Sequence, residues 1–127
     1  VLSKVIDTLN NHGKSLKESK ILILGIAYKK NIDDVRESPS LELIELLLQK
    51  GASVDYSDPY ISETHKTRKN DFKMKSVSLT KAMLNKYDLV LLATDHDDFD
   101  YNLIEKESKI IIDTRGCFQK SAKVLKA

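Results

Sequence analysis

The sequence predicts an α/β fold, a three-layer sandwich in which a mostly parallel sheet lies between helices. Three observations carry that expectation. The runs "KILILG" (20–25), "YDLVLLATD" (87–95) and "KIIIDTRG" (109–116) are apolar without alternation, the pattern of strands covered on both faces. Segments of helical spacing separate such runs, and alternating strands and helices build a parallel sheet with helices on both sides. Finally, 127 residues with 41% hydrophobic and 31% charged content suffice for a single core.

The elements follow in order. Val1, Leu2, Val5, Ile6 and Leu9 share one face of a helix that Gly13 ends. This helix precedes the first strand of a complete α/β unit, and the chain has no initiating Met. It is therefore expected to be the end of a helix from an upstream domain. After the first strand, "SPSLELIELLLQKG" opens with Ser38 as N-cap and Pro39 at the first helical position. Glu42 or Glu45 complements its early turns, Leu41, Ile44, Leu47 and Leu48 form its buried stripe, and Gly51 closes it. "SVDYSDP" (53–59) is a second strand, "MKSVSLT" (74–80) a short third, and "SLTKAMLNKY" a short helix capped by Ser78 or Thr80. "DYNLIEKES" (100–108) gives another short helix, and "AKVLKA" a final edge strand.

Composition narrows the function. The net charge of +2 is spread over interspersed signs, whereas nucleic-acid binding leaves a stronger basic stripe. The densest run, residues 65–75, reads as a solvated loop. No apolar run approaches the ~18 residues of a membrane helix. One cysteine, Cys117, excludes an internal disulfide framework and suits a reducing compartment such as the cytoplasm.

In such sheets ligands bind beyond the carboxyl ends of the strands. That rule selects Tyr28, Lys29, Lys30 and Arg36, then Asp58 and Tyr60, then Asp95, His96, Asp97 and Asp98, then Asp113, Thr114 and Arg115. Gly25 is followed by no glycine until Gly51, so the glycine-rich dinucleotide turn is missing. Two cationic clusters, 29–36 and 115, stand there instead and suit an anionic ligand. Against this, "DDVRE" also reads as self-neutralising surface charge. "DHDDFD" (95–100) reads as a polar cap rather than a metal loop, because its carboxylates are adjacent rather than spaced. His12, His65 and His96 lie in loops without zinc spacing. Cys117 has no adjacent base and is expected to be a buried or half-buried bystander.

At "GIAYKKNIDDVRESPS" (25–40) the sequence resembles the C-terminal, nucleotide-binding domain of the UDP-glucose/GDP-mannose dehydrogenase family. "GASVDYSDPY" (51–60), "YDLVLLATDHDDF" (87–99) and "IIIDTRG" (111–116) fit in order, and "KSLKESKILILG" (14–25) resembles the stretch leading into that domain. The resemblance implies a Rossmann-like fold and a protein that oxidises the C6 alcohol of a nucleotide sugar to a carboxylate, using NAD twice in succession. Residues 1–13 then resemble the end of the central dimerisation helix region, and 14–127 the UDP-binding domain. Tyr28 and Lys29 match the aromatic-Lys pair that contacts the nucleotide sugar. Arg36 matches the Arg that reaches towards NAD, and Arg115 matches the first Arg of a substrate-holding block. Gly116 departs from the Asn or Arg of that block.

By the same resemblance NAD is bound mainly by an N-terminal domain. The catalytic Cys and its helpers lie upstream, so this chain holds none of them and is expected to be inactive by itself. The expected partners are a UDP-sugar, the enzyme's own N-terminal and central domains and, in the full-length enzyme, a second copy as homodimer, with no nucleic acid and no membrane. "ATDHDDF" is closer to the UDP-N-acetyl-hexosamine branch than to UDP-glucose enzymes, which tend to carry Thr-Glu-Trp there. The products of the family feed surface polysaccharides. The competing reading is a stand-alone nucleotide-binding module without oxidoreductase activity.

Overall fold

The computed structural model describes residues 1–36, 38–66 and 71–127. The charged run 65–75, read above as a solvated loop, and Glu37 of the Arg-Glu-Ser motif therefore fall partly or wholly outside the described residues. Helices α1 (Leu2–Asn11), α2 (Pro39–Gln49), α3 (Lys81–Lys86) and α4 (Tyr101–Glu107) surround strands β1 (Lys20–Leu24), β2 (Ser53–Ser57), β3 (Leu89–Leu92), β4 (Ile111–Asp113) and β5 (Val124–Lys126). The strands form one sheet in the order β2-β1-β3-β4-β5, and every pairing is parallel.

The unbroken apolar runs divide by residue parity, as strand geometry requires. Ile21, Ile23, Leu89, Leu91 and Ile112 join a cluster with Val5 and Leu9 of α1 and Leu41, Ile44 and Leu47 of α2. Leu22, Leu24, Val90, Leu92, Ile111 and Val124 join the opposite cluster with Leu84 of α3 and Ile104 of α4. Each fully buried Leu or Ile contributes roughly 1.5–3 kcal/mol by leaving water. From β1 the chain crosses through α2 to β2 on one side, then through α3 to β3 on the other. Crossovers of one hand running in opposite directions put their helices on opposite faces, which explains why α2 and α3 flank different clusters.

Local signals account for the helix ends. At Gly13 (φ +73) and Gly51 (φ +89) the chain turns left-handed. Lys14 N–H then reaches Leu9 O and Ala52 N–H reaches Leu47 O, each a closing bond of the glycine C-cap. Ser38 Oγ accepts from Ser40 N–H at the start of α2, and Thr80 and Asp100 cap α3 and α4 through Met83 and Leu103 N–H.

The expected strand at 74–80 does not form. Lys75 makes a single antiparallel bridge to Glu63, and Val77 N–H donates to Tyr56 O at the end of β2. The backbone of this segment bonds instead to residues 62–64, with Thr64 N–H donating to Met74 O and Ser76 N–H to Ser62 O, so no ladder to the parallel sheet forms among the described residues. The sheet is parallel at every strand pairing, as the expected mostly parallel architecture requires. Val5 and Leu9 are fully buried, so α1 shares the core of the sheet.

Candidate functional site

Strand order reverses at β1, between β2 and β3, and the chain opens there into a concavity of about 390 Å³. Ala27 and Tyr28 enter from the loop after β1, Ala93 and Thr94 from the end of β3, and Thr114 and Arg115 from the loop after β4. Pro39 and Ser40 bring in the first turn of α2, whose N–H groups favour anions. Val1 and Leu2 of α1 with Leu43 and Leu46 of α2 form an apolar wall, and Glu42 is the acidic member.

Gly25 makes this convergence possible. Its φ is +82, and a β-carbon placed on it would lie 2.5 Å from both Thr94 Cβ and Thr94 O. A single glycine suffices because the close approach is to the neighbouring loop rather than to a pyrophosphate.

The loop after β1 is held at many points. Asp58 Oδ2 accepts from Ile26 N–H (2.8 Å) and Ala27 N–H (3.2 Å). Thr94 Oγ1 donates to Ala27 O (2.8 Å), Ser38 Oγ donates to Ile26 O (2.7 Å), and Tyr28 N–H donates to Asp34 O (2.7 Å). The loop after β4 winds round Asp113. This buried carboxylate accepts from the N–H groups of Arg115, Gly116 and Phe118 and from Lys126 Nζ, all at 2.8 Å. Burial alone pushes its pKa up, but the Lys126 ammonium and the three amides outweigh that and hold it below the usual carboxylate range.

The predicted residues fare differently. Tyr28 (45% exposed) and Arg115 both face the concavity, and Arg115 Nε donates to Ala93 O (2.9 Å). Lys29 is exposed, its Nζ 5.9 Å from the Tyr28 ring centre. Arg36 is not among the lining residues. It meets Asp34 through Nε (3.1 Å) and Nη2 (2.9 Å), and those bonds lower the Asp34 pKa. The self-neutralising reading of "DDVRE" thus describes the Asp34–Arg36 pair.

Cys117 is exposed rather than buried, because it follows the turn round Asp113 outward. Desolvation of its sulfur raises the thiol pKa, and the Asp95 and Asp113 charges add to it, so the thiolate is disfavoured. His96, read as a loop histidine, is fully buried against Asp58. The clue lay in topology: β2 and β3 both flank β1, so residues just past their ends meet over Gly25.

The model of the UDP-glucose/GDP-mannose dehydrogenase family, UDP binding domain, matches residues 22–120, and the chain belongs to this family of NAD-dependent nucleotide-sugar dehydrogenases. It is 32% identical over 116 residues to the NDP-N-acetyl-D-galactosaminuronic acid dehydrogenase of Ralstonia nicotianae, covering 88% of this chain and 26% of that protein. The UDP-glucose 6-dehydrogenase of Rickettsia bellii is 34% identical over 111 residues, covering 81% of this chain and 25% of that protein. Among solved structures, the UDP-D-ManNAc dehydrogenase from Pyrococcus horikoshii superposes with a TM-score of 0.73 at 26% identity, over 98% of this chain and 28% of that one. The chain therefore spans about a quarter of the length of the relatives it matches.

Proposed function

We propose that this chain supplies the UDP-sugar side of an NAD-dependent nucleotide-sugar 6-dehydrogenase that oxidises the C6 alcohol to a carboxylate. One observation carries the reading: the cleft at the strand-order reversal joins Tyr28 and Arg115, the residues that the family's motifs assign to substrate, beside the first turn of α2. Arg115 offers a planar fork and Lys29 a mobile charge for diphosphate oxygens, while Tyr28 gives a ring for an apolar or planar part of the ligand.

Arg36 is the residue that would meet NAD held mainly by an N-terminal domain. Its side chain is 87% exposed and oriented by Asp34, which fits a phosphate carried on a neighbouring domain. When bound, NAD accepts the hydride; this chain's part is to hold and orient the nucleotide end of the substrate. The catalytic nucleophile lies outside the chain in this reading. Residues 1–13 are the end of the dimerisation helix region and 14–127 the binding domain, working in the cytoplasm as part of a homodimer and feeding surface polysaccharide synthesis. The "ATDHDDF" motif favours UDP-N-acetylglucosamine or its mannosamine epimer over UDP-glucose.

Calorimetric titration of the chain with UDP, UDP-N-acetylglucosamine and NAD tests the site. Heat is expected from the uridine ligands and none from NAD. No heat from any uridine nucleotide at millimolar ligand argues against an autonomous site. In the full-length enzyme, Lys29→Ala is expected to raise KM for the UDP-sugar more than for NAD, and Arg36→Ala the reverse. Equal effects on both ligands would sink this division of roles.

A further inference from the structure

Asp58 and His96 form a fully buried ionisable pair that does not line the cleft. Asp58 Oδ2 takes His96 Nε2–H (2.9 Å) together with the Ile26 and Ala27 amides, and Oδ1 takes Tyr60 N–H (2.8 Å). The other ring nitrogen, His96 Nδ1, receives Asn31 N–H (2.8 Å). That amide assigns the tautomer: Nδ1 accepts, and the hydrogen sits on Nε2 facing Asp58.

One chain of bonds thus grips the loop after β1 at both ends. Ile26 and Ala27 are its root, Asn31 is its tip, and Tyr28 and Lys29 lie between. Asn31 is left-handed (φ 62), a conformation that asparagine adopts more readily than most residues. Its amide side chain exchanges two bonds with Asp97, Nδ2–H to Oδ2 (2.7 Å) and Oδ1 from Asp97 N–H (2.9 Å). The imidazole cannot swing away, because the Tyr60 ring centre stands 4.8 Å off, that of Phe99 5.6 Å, and Tyr101 Oη donates to His96 O (2.6 Å). A buried ionisable pair is a poor source of stability compared with apolar side chains of the same volume. What it supplies is a defined geometry for backbone groups that no apolar residue could bond.

We propose that Asp58 and His96 are positioning residues for the nucleotide sugar, holding loop 26–31 so that Tyr28 faces Arg115 across the cleft with Lys29 beside it. This rests on the functional reading above. The two ring nitrogens can be tested separately. His96→Asn keeps an acceptor near Nδ1 for Asn31 and loses the bond to Asp58. His96→Gln keeps a donor near Nε2 for Asp58 and abandons Asn31. Asp97→Ala is a surface change that loosens Asn31 without entering the core.

UDP is titrated into the 127-residue chain and its variants and followed by amide NMR shifts, with thermal melts and Asn31 amide exchange measured alongside. His96→Asn is expected to bind within about twofold of wild type, and His96→Gln about tenfold more weakly, the share of loop in the binding geometry having dropped by that factor. Asp97→Ala is expected to bind about threefold more weakly, with faster Asn31 exchange. Wild-type affinity in both His96→Gln and Asp97→Ala overturns the inference and leaves the functional reading standing. So does an affinity that merely follows melting temperature across the His96 variants. Absence of UDP binding by the wild-type chain argues against an autonomous site; the variants are then compared in the full-length enzyme, where a KM for the UDP-sugar unchanged in His96→Gln and Asp97→Ala overturns the inference.

Discussion

Replacing Gly25 by Ala probes the point on which the cleft is built. The added methyl would stand 2.5 Å from Thr94 O and Thr94 Cβ, and backbone atoms there cannot rotate aside. A left-handed φ for an L-residue costs about 1–2 kcal/mol, and forcing an atom into a filled site about 1–3 kcal/mol. The stiffer unfolded chain returns about 0.4–1 kcal/mol. The net loss is about 1–5 kcal/mol. Gly116 is the internal control: its φ is +76, but nothing lies within 4 Å of its missing β-carbon. Gly116→Ala therefore carries the strain without the clash and should cost at most about 1.5 kcal/mol. Urea unfolding separates the two variants. With a slope of ~2 kcal/mol per molar, Gly25→Ala lowers the midpoint by about 0.5–2.5 M at unchanged slope. Displacing Thr94 also breaks its bond to Ala27 O, so UDP affinity should fall with stability. If the two variants unfold within about 0.5 kcal/mol of each other, the close approach to Thr94 is not what requires glycine at position 25.

Two further predictions concern the loops that frame the cleft. Ser38→Ala removes both the cap on Ser40 N–H and the donor to Ile26 O, and should cost about 1–2 kcal/mol in urea unfolding; a loss confined to a few tenths would show that α2 starts without it. Asp113 has a folded-state pKa depressed below its unfolded value, so its contribution is complete above about pH 4 and is lost as pH falls through the folded value. Asp113→Asn should cost about 2–3 kcal/mol at neutral pH and should flatten the decline of stability between about pH 5 and pH 2. An unchanged acid slope in that variant would remove Asp113 from the account.

The local grammar of this chain determined most of its elements. Continuous apolar runs mark strands covered on both faces, and Ser38-Pro39, Gly13 and Gly51 mark helix ends, because capping depends on backbone groups only a few residues apart. That Tyr28 and Arg115 stand at the strand ends that frame the cleft was legible from their motifs, whereas Lys29 and Arg36, singled out in the same way, do not line it. The segment 74–80 has strand composition but, among the described residues, forms a single bridge, because composition does not state which backbone it will meet. Only the tertiary structure decided that β1 lies between β2 and β3, and from that order the rest of the site follows. Asp58 and His96, far apart in the chain, meet because the strands before them flank β1. A buried carboxylate and imidazole leave no periodic trace in sequence: their roles are set by which amides the fold brings to them, and those amides belong to every residue type alike.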